Sequence, residues 1–303
     1  MSKTPARVNR GYAYAFVAAL CGGAIPTLSK LALQHYGPVQ VSGFSFFLSG
    51  LMLIPLNPRD FPNSRNLKYV AFFGLLGAAI APLLYQTGID NTTAVNASLL
   101  SNGEALFTVL IAFAAFGERL SRKQLGTGLL ILAGIVIVST NLDLTGVQFL
   151  NGLLGNLLVL GAMVFWSLEN NLIISATRRF GPVFISKYRG IIGGGGVTVA
   201  VAVLGIPTGF SGSGLLYVVL LALALASTSY LAIAALGEIG AIRAILVFST
   251  STIFGAIFAL VVLREPITYV QVAGGAIILL GVFLLQRAER KIGVAPPDAE
   301  GFR

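Results

Sequence analysis

The chain has 303 residues, of which 56% are hydrophobic and only 10% are charged, and its mean hydropathy is +0.87. A soluble domain carries roughly 25% charged residues, so this composition excludes a water-facing globular surface and predicts lipid as the solvent. The net charge of +9 does not indicate a nucleic-acid partner, because the Lys and Arg residues lie almost wholly between apolar segments.

Residues that could hold a metal or a cofactor are scarce. Cys21 is the single cysteine and His35 the single histidine, which excludes a disulfide within the chain and any multi-Cys or multi-His metal site. The sequence also contains no G-x-x-x-x-G-K-[ST] loop for ATP. We therefore predict neither a cofactor nor a metal.

Ten apolar stretches follow one another along the chain, and each can cross a membrane, which takes ~20 residues of helix. Membrane-spanning strands would show alternating segments of ~10 residues instead of continuous apolar runs. Helices satisfy every backbone group internally, so the sequence predicts an all-α integral membrane protein with ten transmembrane helices. The stretches are residues 11–33, 39–56, 67–89, 93–117, 124–140, 151–175, 182–204, 213–236, 241–263 and 267–286.

Positive charge is distributed unevenly between the two sides that ten spans define. With a cytoplasmic amino terminus, sixteen Lys and Arg residues fall in cytoplasmic segments, three lie within spans, and only Arg264 falls on the opposite side. This bias predicts cytoplasmic amino and carboxyl termini in a bacterial cytoplasmic (inner) membrane. Residues 289–303, which include the polar sequence GVAPPDAEGFR, are predicted to form a disordered cytoplasmic tail.

The two halves of the chain repeat each other. Residues 118–134 read ERLSRKQLGTGLLILAG and residues 265–281 read EPITYVQVAGGAIILLG, with six of seventeen positions identical. We therefore divide the chain into five-helix repeats at 1–145 and 146–288. Because five is odd, the second copy enters the membrane from the opposite side, and such inverted repeats are typical of transporters. The alternative is a duplicated structural bundle or channel.

Each repeat carries a glutamate at the end of its fourth helix, within GERLS at 117–121 and REPIT at 264–268. With these motifs in register, the chain resembles the drug/metabolite transporter superfamily with two EamA-type repeats. Within that superfamily it is similar to bacterial exporters of aromatic amino acids and methyl viologen. The resemblance implies secondary transport or facilitated efflux, without ATP, through a central cavity. Helices one, three, four, six, eight and nine would line this cavity, and helices five and ten would be peripheral.

The chain departs from this family at one point. Family members often carry a proline thirteen residues before the motif glutamate, whereas Ala105 and Thr252 stand at these positions here. The family implies a break in the fourth and ninth helices, but this chain lacks the proline that usually causes it.

Glu104 is an acidic residue near the middle of the fourth span, where an unpaired charge is costly. On a helical wheel it shares an arc of about 160° with other polar residues, so this side of the helix faces protein or water. We interpret Glu104 as a site for a substrate amine or as a protonatable gate. The alternative is a neutral carboxyl that hydrogen-bonds to a neighbouring helix. Two further residues of the arc, Asn102 and Ser98, are candidates for substrate binding.

Trp166, the only tryptophan, lies near the middle of the sixth span and not at the membrane interface. Asn170 follows one turn later, and this pairing predicts a site for a flat apolar ligand with polar ends or for an organic cation. The alternative is ordinary packing with the indole N–H bonded internally. Tyr85, Tyr230 and Ser251 are polar residues of spans assigned to the cavity and complete the candidate substrate site.

Glu169, Lys187 and Arg189 lie at similar depth in spans six and seven, counting about 1.5 Å per residue. An ion pair among them would either close the cytoplasmic side as a gate or neutralise a buried charge statically. Pro26 in the first span removes one backbone hydrogen bond and is expected to kink the helix, as a hinge or as a packed bend. We include it among the candidate gate residues.

The leading interpretation is a secondary transporter that exports small metabolites, aromatic amino acids and related aromatic or cationic compounds, by alternating access. Its expected partners are the small-molecule substrate and membrane lipid, as a monomer or weak dimer, with proton coupling and facilitated efflux both open. A membrane enzyme acting on a lipid-linked substrate is one alternative, although Asp60, Asp90 and Asp143 are isolated and not clustered for Mg²⁺. A passive channel is another.

A reporter fusion tests the predicted orientation. A reporter that is active only in the periplasm is expected to be inactive when fused after Gln286, because the charge bias holds this end inside. A cytoplasm-specific reporter at the same position should be active. The reverse pattern would show that the orientation is wrong.

Overall fold

The computed structural model describes residues 5–116, 121–141, 147–209, 211–239 and 241–292. Every regular element within these ranges is a helix. Two segments, Gly74–Ile80 and Gly190–Gly194, are π-helical, and Ile54–Leu56 is 3₁₀. The α-helices are α1 (Pro5–Leu33), α2 (Pro38–Met52), α3 (Ser64–Phe73), α4 (Ala81–Asn91), α5 (Ala94–Leu100), α6 (Gly103–Phe116), α7 (Arg122–Thr140), α8 (Val147–Phe180), α9 (Pro182–Arg189), α10 (Gly195–Val203), α11 (Gly212–Ile239), α12 (Ala241–Phe248), α13 (Ser251–Val262) and α14 (Tyr269–Ile292).

Eight helical segments in the described part of the chain are long and apolar enough to cross a membrane. The prediction of a multi-pass helical membrane protein is therefore confirmed. The eight correspond to predicted spans one to six, eight and ten. The other two predicted spans are helical but interrupted: span seven consists of α9, a π-helical segment and α10, and span nine of α12 and α13. The number ten stays a prediction.

The antiparallel pair of α1 and α11 defines the two ends of the bundle. Gly11 near the start of α1 lies against Ile239 at the end of α11, and Gly214 at the start of α11 lies against His35 beyond the end of α1. At the first end Arg10 forms an ion pair with Glu238. We call this end the Arg10 face and the opposite end the Glu265 face.

Equivalent residues of the two repeats exchange roles in the contact between α7 and α14. Gly134 of α7 lies against Ile278 of α14, while Gly281 of α14 lies against Ile131 of α7. In the repeat alignment Gly134 matches Gly281 and Ile131 matches Ile278. The contact is therefore reciprocal, as it is around a two-fold axis.

A second antiparallel pair joins α4 and α8. Gly88 of α4 lies against Val159 of α8, and Gly155 of α8 lies against the backbone of Asn91. Third and sixth spans thus pair through glycines, as first and eighth spans do in α1 and α11. The absence of a side chain at each position lets the two backbones approach closely.

The outward surfaces of α7 and α14 are apolar. Large hydrophobic side chains are exposed along both helices, which suits contact with lipid tails and not with water. They include Leu125, Leu129, Leu132 and Val136 on α7, and Val272, Leu280 and Phe283 on α14.

The fourth and ninth spans are broken even though neither carries the family's proline. The first break lies at Ser101–Asn102, between α5 and α6, and the second at Ser249–Thr250, between α12 and α13. At the first, Ser101 Oγ donates to the Ala97 carbonyl at 2.7 Å; at the second, Thr250 Oγ1 donates to the Val247 carbonyl at 2.6 Å. Each of these carbonyls also accepts the backbone N–H of the same residue, and hydroxyl bonds of this kind bend helices where no proline is present.

Two helices bear on predictions from the sequence. The helix α1 contains Pro26 and continues through it, so the kink expected there stays a prediction. The helix α14 extends to Ile292, so the first four residues of the tail predicted to be disordered are helical. Gly293 and the residues after it lie outside the described residues.

Glycine contacts between α7 and α14 give a stability prediction. A Cβ on Gly134 would lie 2.6 Å from Ile278 Cγ1 and 3.0 Å from the Ile278 backbone N, whereas a Cβ on Gly126 of α7 would meet nothing within 4 Å. We expect Gly134→Ala to lower the free energy of unfolding by about 1–3 kcal/mol through overpacking. Gly126→Ala should leave it unchanged or raise it by up to about 1 kcal/mol. Thermal unfolding in detergent measures both, and equal stabilities would contradict the packing.

Candidate functional site

The two broken spans meet at their breaks. The Asn102 side-chain amide, beside the first break, donates a hydrogen bond to the Thr252 hydroxyl in the first turn of α13. One turn earlier, Ser98 is buried against Gly255, where a Cβ would collide with its hydroxyl. The two spans therefore cross closely at polar residues, and the Ser98 hydroxyl there lacks a hydrogen-bond partner among the described residues.

Glu104 lies in the first turn of α6, just after the first break. The positive end of the α6 dipole favours a carboxylate at this position, although the N–H groups of Glu104 and Ala105 already donate to the carbonyls of Ser101 and Asn102 at 3.2 Å. The Asn170 amide donates to Glu104 Oε1, and the Ser167 hydroxyl donates to the Glu104 carbonyl at 2.9 Å. Glu104 is half-buried, so part of its side chain still borders open space. The structure thus brings together the predicted site residues Glu104 and Asn170.

Trp166 compensates for an irregularity in the third span. In the π-helical segment Gly74–Ile80 each carbonyl accepts from the N–H five residues later, as the Leu76 carbonyl does from Ala81. The residue five positions after Gly77 is Pro82, which has no N–H. The indole N–H of Trp166 donates to the Gly77 carbonyl at 2.9 Å. The internal indole bond that we treated as an alternative to ligand binding is therefore present.

The rings of Tyr85 and Trp166 form an aromatic wall next to this bond. Their centroids are 5.2 Å apart with an angle of 58° between the planes. Tyr85 is buried and interacts with Ser101 at the first break, while Trp166 is only half-buried. The indole of Trp166 is therefore partly exposed, with its N–H engaged by Gly77 and one part of its ring packed against the core.

Glu169 and Arg189 form a buried ion pair. Arg189 Nη1 donates to both carboxylate oxygens of Glu169 at 2.7 Å, and Glu169 is only 1% exposed. The carboxylate lies directly against Gly77, where a Cβ would collide with it. A glycine in the π-helical segment is thus needed for this pair to form.

Lys187 does not join that pair, which corrects the grouping predicted from depth alone. Its ammonium donates to the carbonyls of Asn57 at 2.7 Å and Asp60 at 3.1 Å, and lies 4.5 Å from the centre of the Tyr188 ring. Lys187 therefore holds the loop after α2 at the Arg10 face. Depth along a helix axis does not fix the direction in which a side chain points, and α9 directs Lys187 and Arg189 to different partners.

The remaining candidates lie near the cluster or outside it. Ser251 is half-buried beside Thr252, and its carbonyl packs against Gly23 of α1, one turn before Pro26. Tyr230 is half-buried on α11 and interacts with Arg10, towards the Arg10 face. Neither forms a described contact with Glu104 or Trp166.

Sequence reasoning missed several residues that build the site. Asn171 donates to the Thr108 carbonyl at 3.1 Å and to the Ser167 carbonyl at 2.9 Å, which ties α8 to α6. The signal for Ser167 and Asn171 was a polar cluster around Asn170 in an otherwise apolar helix. For Gly77 and Thr252 the sequence held no signal, because their roles depend on partners far along the chain.

A bundle of apolar helices in which two broken spans cross at polar residues is the architecture of a multi-pass membrane transporter. The chain belongs to the EamA-like transporter family, whose model matches residues 9–140 and 153–287. This confirms the family that the sequence motifs indicated.

Two of the three relatives described here are named uncharacterized transporters, and the third is named a WAT1-related protein. An uncharacterized transporter of Methanothermobacter thermautotrophicus is 33% identical over 91% of this chain and 85% of its own length. The uncharacterized transporter YyaM of Bacillus subtilis is 23% identical over 86% of this chain and 88% of its own length. The WAT1-related protein At3g02690 of Arabidopsis thaliana is 23% identical over 88% of this chain and 67% of its own length. A solved crystal structure with 16% identity shares the fold at a TM-score of 0.66, covering 94% of this chain and 99% of its own.

The Trp166–Gly77 bond predicts a coupled effect on stability. Trp166→Phe keeps an aromatic ring but leaves the Gly77 carbonyl without a partner, which we expect to cost about 1–3 kcal/mol of unfolding free energy. Pro82→Ala supplies an N–H five residues after Gly77, so the same Trp166→Phe change should cost less in the Pro82→Ala background. Thermal unfolding followed by circular dichroism measures all four proteins. Equal penalties in the two backgrounds would contradict the coupling.

Proposed function

We propose that the protein is a secondary transporter that exports small metabolites across the bacterial cytoplasmic membrane. The observation that carries this proposal is the Glu104 carboxylate. This carboxylate lies in the first turn of a half-helix, where two broken spans cross. It accepts a hydrogen bond from Asn170, and the residue is half-buried. Discontinuous helices of transporters commonly present their ends to substrates in this way. The names of the relatives support transport over the alternative of a membrane enzyme.

Alternating access between two inverted five-helix repeats is the mechanism that we propose. The reciprocal contacts of Gly134 and Gly281 support it, because an inverted repeat relates the two partners by a two-fold axis. The pairing of α1 with α11 and of α4 with α8 supports the same relation. When the two repeats have different conformations, the site opens to one side of the membrane. When the repeats exchange these conformations, the site opens to the other side.

The substrate class follows from the groups that border the crossing. Trp166 and Tyr85 offer aromatic surface, Asn102 and Asn170 offer amides, and Glu104 offers a carboxylate held by an amide and not by a cation. Arg189 is already engaged by Glu169. We therefore propose aromatic amino acids and related aromatic or cationic compounds, whose amine or cationic group would approach Glu104 while the ring lies against Trp166.

Closure on the side of the Arg10 face is assigned to the pair of Glu169 and Arg189. Both residues interact electrostatically with Glu104, so the pair is near enough to respond to a change of charge at the site. Lys187 has a supporting role because it fixes the adjacent loop at Asn57 and Asp60. Pro26 remains a proposed flexing point of α1, and the Arg10 face is proposed to be cytoplasmic, in a monomer or weak dimer.

Proton exchange and facilitated efflux differ in what Glu104 must do, and Glu104→Gln separates them. Glutamine keeps the shape of the side chain and can still accept from Asn170, but it cannot bind or release a proton. We propose facilitation, in which Glu104 serves the substrate amine as a hydrogen-bond acceptor and not through its charge. Glutamine keeps that acceptor, so the variant should transport aromatic amino acids down their gradient within about twofold of wild type. An imposed pH gradient should then drive neither protein. Radiolabelled uptake into proteoliposomes, with and without the gradient, provides the measurement.

The contrast with Glu104→Ala controls for loss of the site itself. Alanine removes the acceptor for Asn170, so transport should fall about tenfold or more if one charge-assisted bond helps to order the site. Uphill uptake by wild type under a pH gradient, abolished in Glu104→Gln, would instead establish proton exchange. Recovery of a chemically altered substrate from the vesicles would favour an enzyme, and flux that never saturates would favour a channel.

A further inference from the structure

The start of α5 is capped by a residue from the other half of the chain. The carboxylate of Glu265, in the connection between α13 and α14, accepts hydrogen bonds from the backbone N–H groups of Ala94 and Val95, both at 3.1 Å. The next N–H, of Asn96, donates to Thr93 Oγ1 at 3.1 Å. One carboxylate from a distant segment therefore satisfies two of the first donors of the fourth span.

A cation holds the same corner by bonding its carbonyl groups. The ammonium of Lys30, near the end of α1, donates to the carbonyls of Ile89 and Thr92 at 2.6 Å and of Asp90 at 3.3 Å. The corner between α4 and α5 is thus fixed by a carboxylate and a cation, which also interact electrostatically with each other. Charge-assisted bonds of this kind are stronger than those between neutral groups.

The backbone that presents Glu265 is itself constrained. Arg264 has a φ of 56°, in the left-handed region, and the Glu265 N–H bonds to the Ala259 carbonyl at 3.2 Å. A non-glycine residue is rarely left-handed, because its Cβ comes too close to the following carbonyl oxygen. This turn at the end of α13 aims the carboxylate at the start of α5.

We propose that Glu265 is the residue that holds the Glu265 face of the central site closed, and that breaking its bonds to Ala94 and Val95 opens this face. The inference rests on the proposed transport function. α5 has seven residues and ends at the break that precedes Glu104, so it connects the corner directly to the site.

Glu265 is half-buried, and water can therefore replace Ala94 and Val95 as its partners. Bonds to charged groups contribute more than bonds between neutral groups, so losing this contact can shift a two-state equilibrium about tenfold.

Spin-label distances at this face test the proposal without a substrate. In a Cys21→Ser background, labels are attached to cysteines introduced by Asn91→Cys, beside the corner, and Tyr269→Cys, at the start of α14. Both positions are exposed, and Tyr269 is 94% exposed. Double electron–electron resonance in lipid nanodiscs then reports the fraction of molecules with a long distance between α4 and α14. Glu265→Gln is expected to raise the ratio of long to short distances about tenfold.

Two matched controls separate the contact from a general loss of charge. Asp90→Asn neutralises another carboxylate of the same corner but leaves the N–H groups of Ala94 and Val95 bonded. Glu118→Gln changes the glutamate that matches Glu265 in the sequence repeat. Neither should lengthen the distance. If either one lengthens it as much as Glu265→Gln does, the proposal is wrong.

A second variant keeps the test decisive if Glu265→Gln does not fold. Ala94→Pro removes one of the two donors from the other side of the contact. Proline is tolerated at the first position of a helix, and Thr93 already has the extended backbone that must precede it. This variant should shift the distances in the same direction, and an unchanged distribution in a folded variant would overturn the proposal. Altered distances without transport of any substrate would leave Glu265 as a closing residue and count against the proposed function alone.

Discussion

A hydrocarbon environment supplies no hydrogen bonds, so each backbone group that an irregular helix releases must find its partner within the protein. This constraint connects the unusual features of the structure. The π-helical segment before Pro82 releases the Gly77 carbonyl, and Trp166 binds it. At the Glu265 face, where water also has access, the start of α5 leaves N–H groups without partners in the helix, and Glu265 binds them. In both cases the partner comes from the second half of the chain, so the irregularities of the first half are also contacts between the halves.

The helical architecture was predictable because the apolar runs are long and charges fall between them, whatever the tertiary structure. The breaks in spans four and nine were not predictable, because the residues at the expected proline positions are Ala105 and Thr252. At these breaks Ser101 and Thr250 donate hydroxyl bonds to carbonyls of the preceding turn. Serine and threonine make such bonds in continuous helices as well. Only the packing of Asn102 on Thr252 distinguishes this position from an ordinary polar turn.

The candidate site was predictable to a similar degree. A polar arc and a lone tryptophan identified Glu104, Asn170 and Trp166, because polar groups are costly within a membrane wherever they point. Their partners were not predictable, since a helical wheel gives direction around one helix and not the identity of its neighbour. Gly77 shows the limit most clearly. Its carbonyl binds Trp166, and its missing side chain makes room for the carboxylate of Glu169. No local pattern distinguishes it from the other glycines of the third span.

The break in the fourth span also divides that span between two partners. α5 is held at its start by Glu265 and just beyond its end by the bond from Asn102 to Thr252, and both partners belong to α13 or to the connection that follows it. α6 is held by α8, through Ser167 and Asn170 on Glu104. Because interhelical hydrogen bonds tie each half-helix to a different neighbour, a displacement of α8 relative to α13 must be accommodated at residues 101–102. Glu104 follows directly in the chain, so the point at which the span can bend is also the point at which its carboxylate is presented.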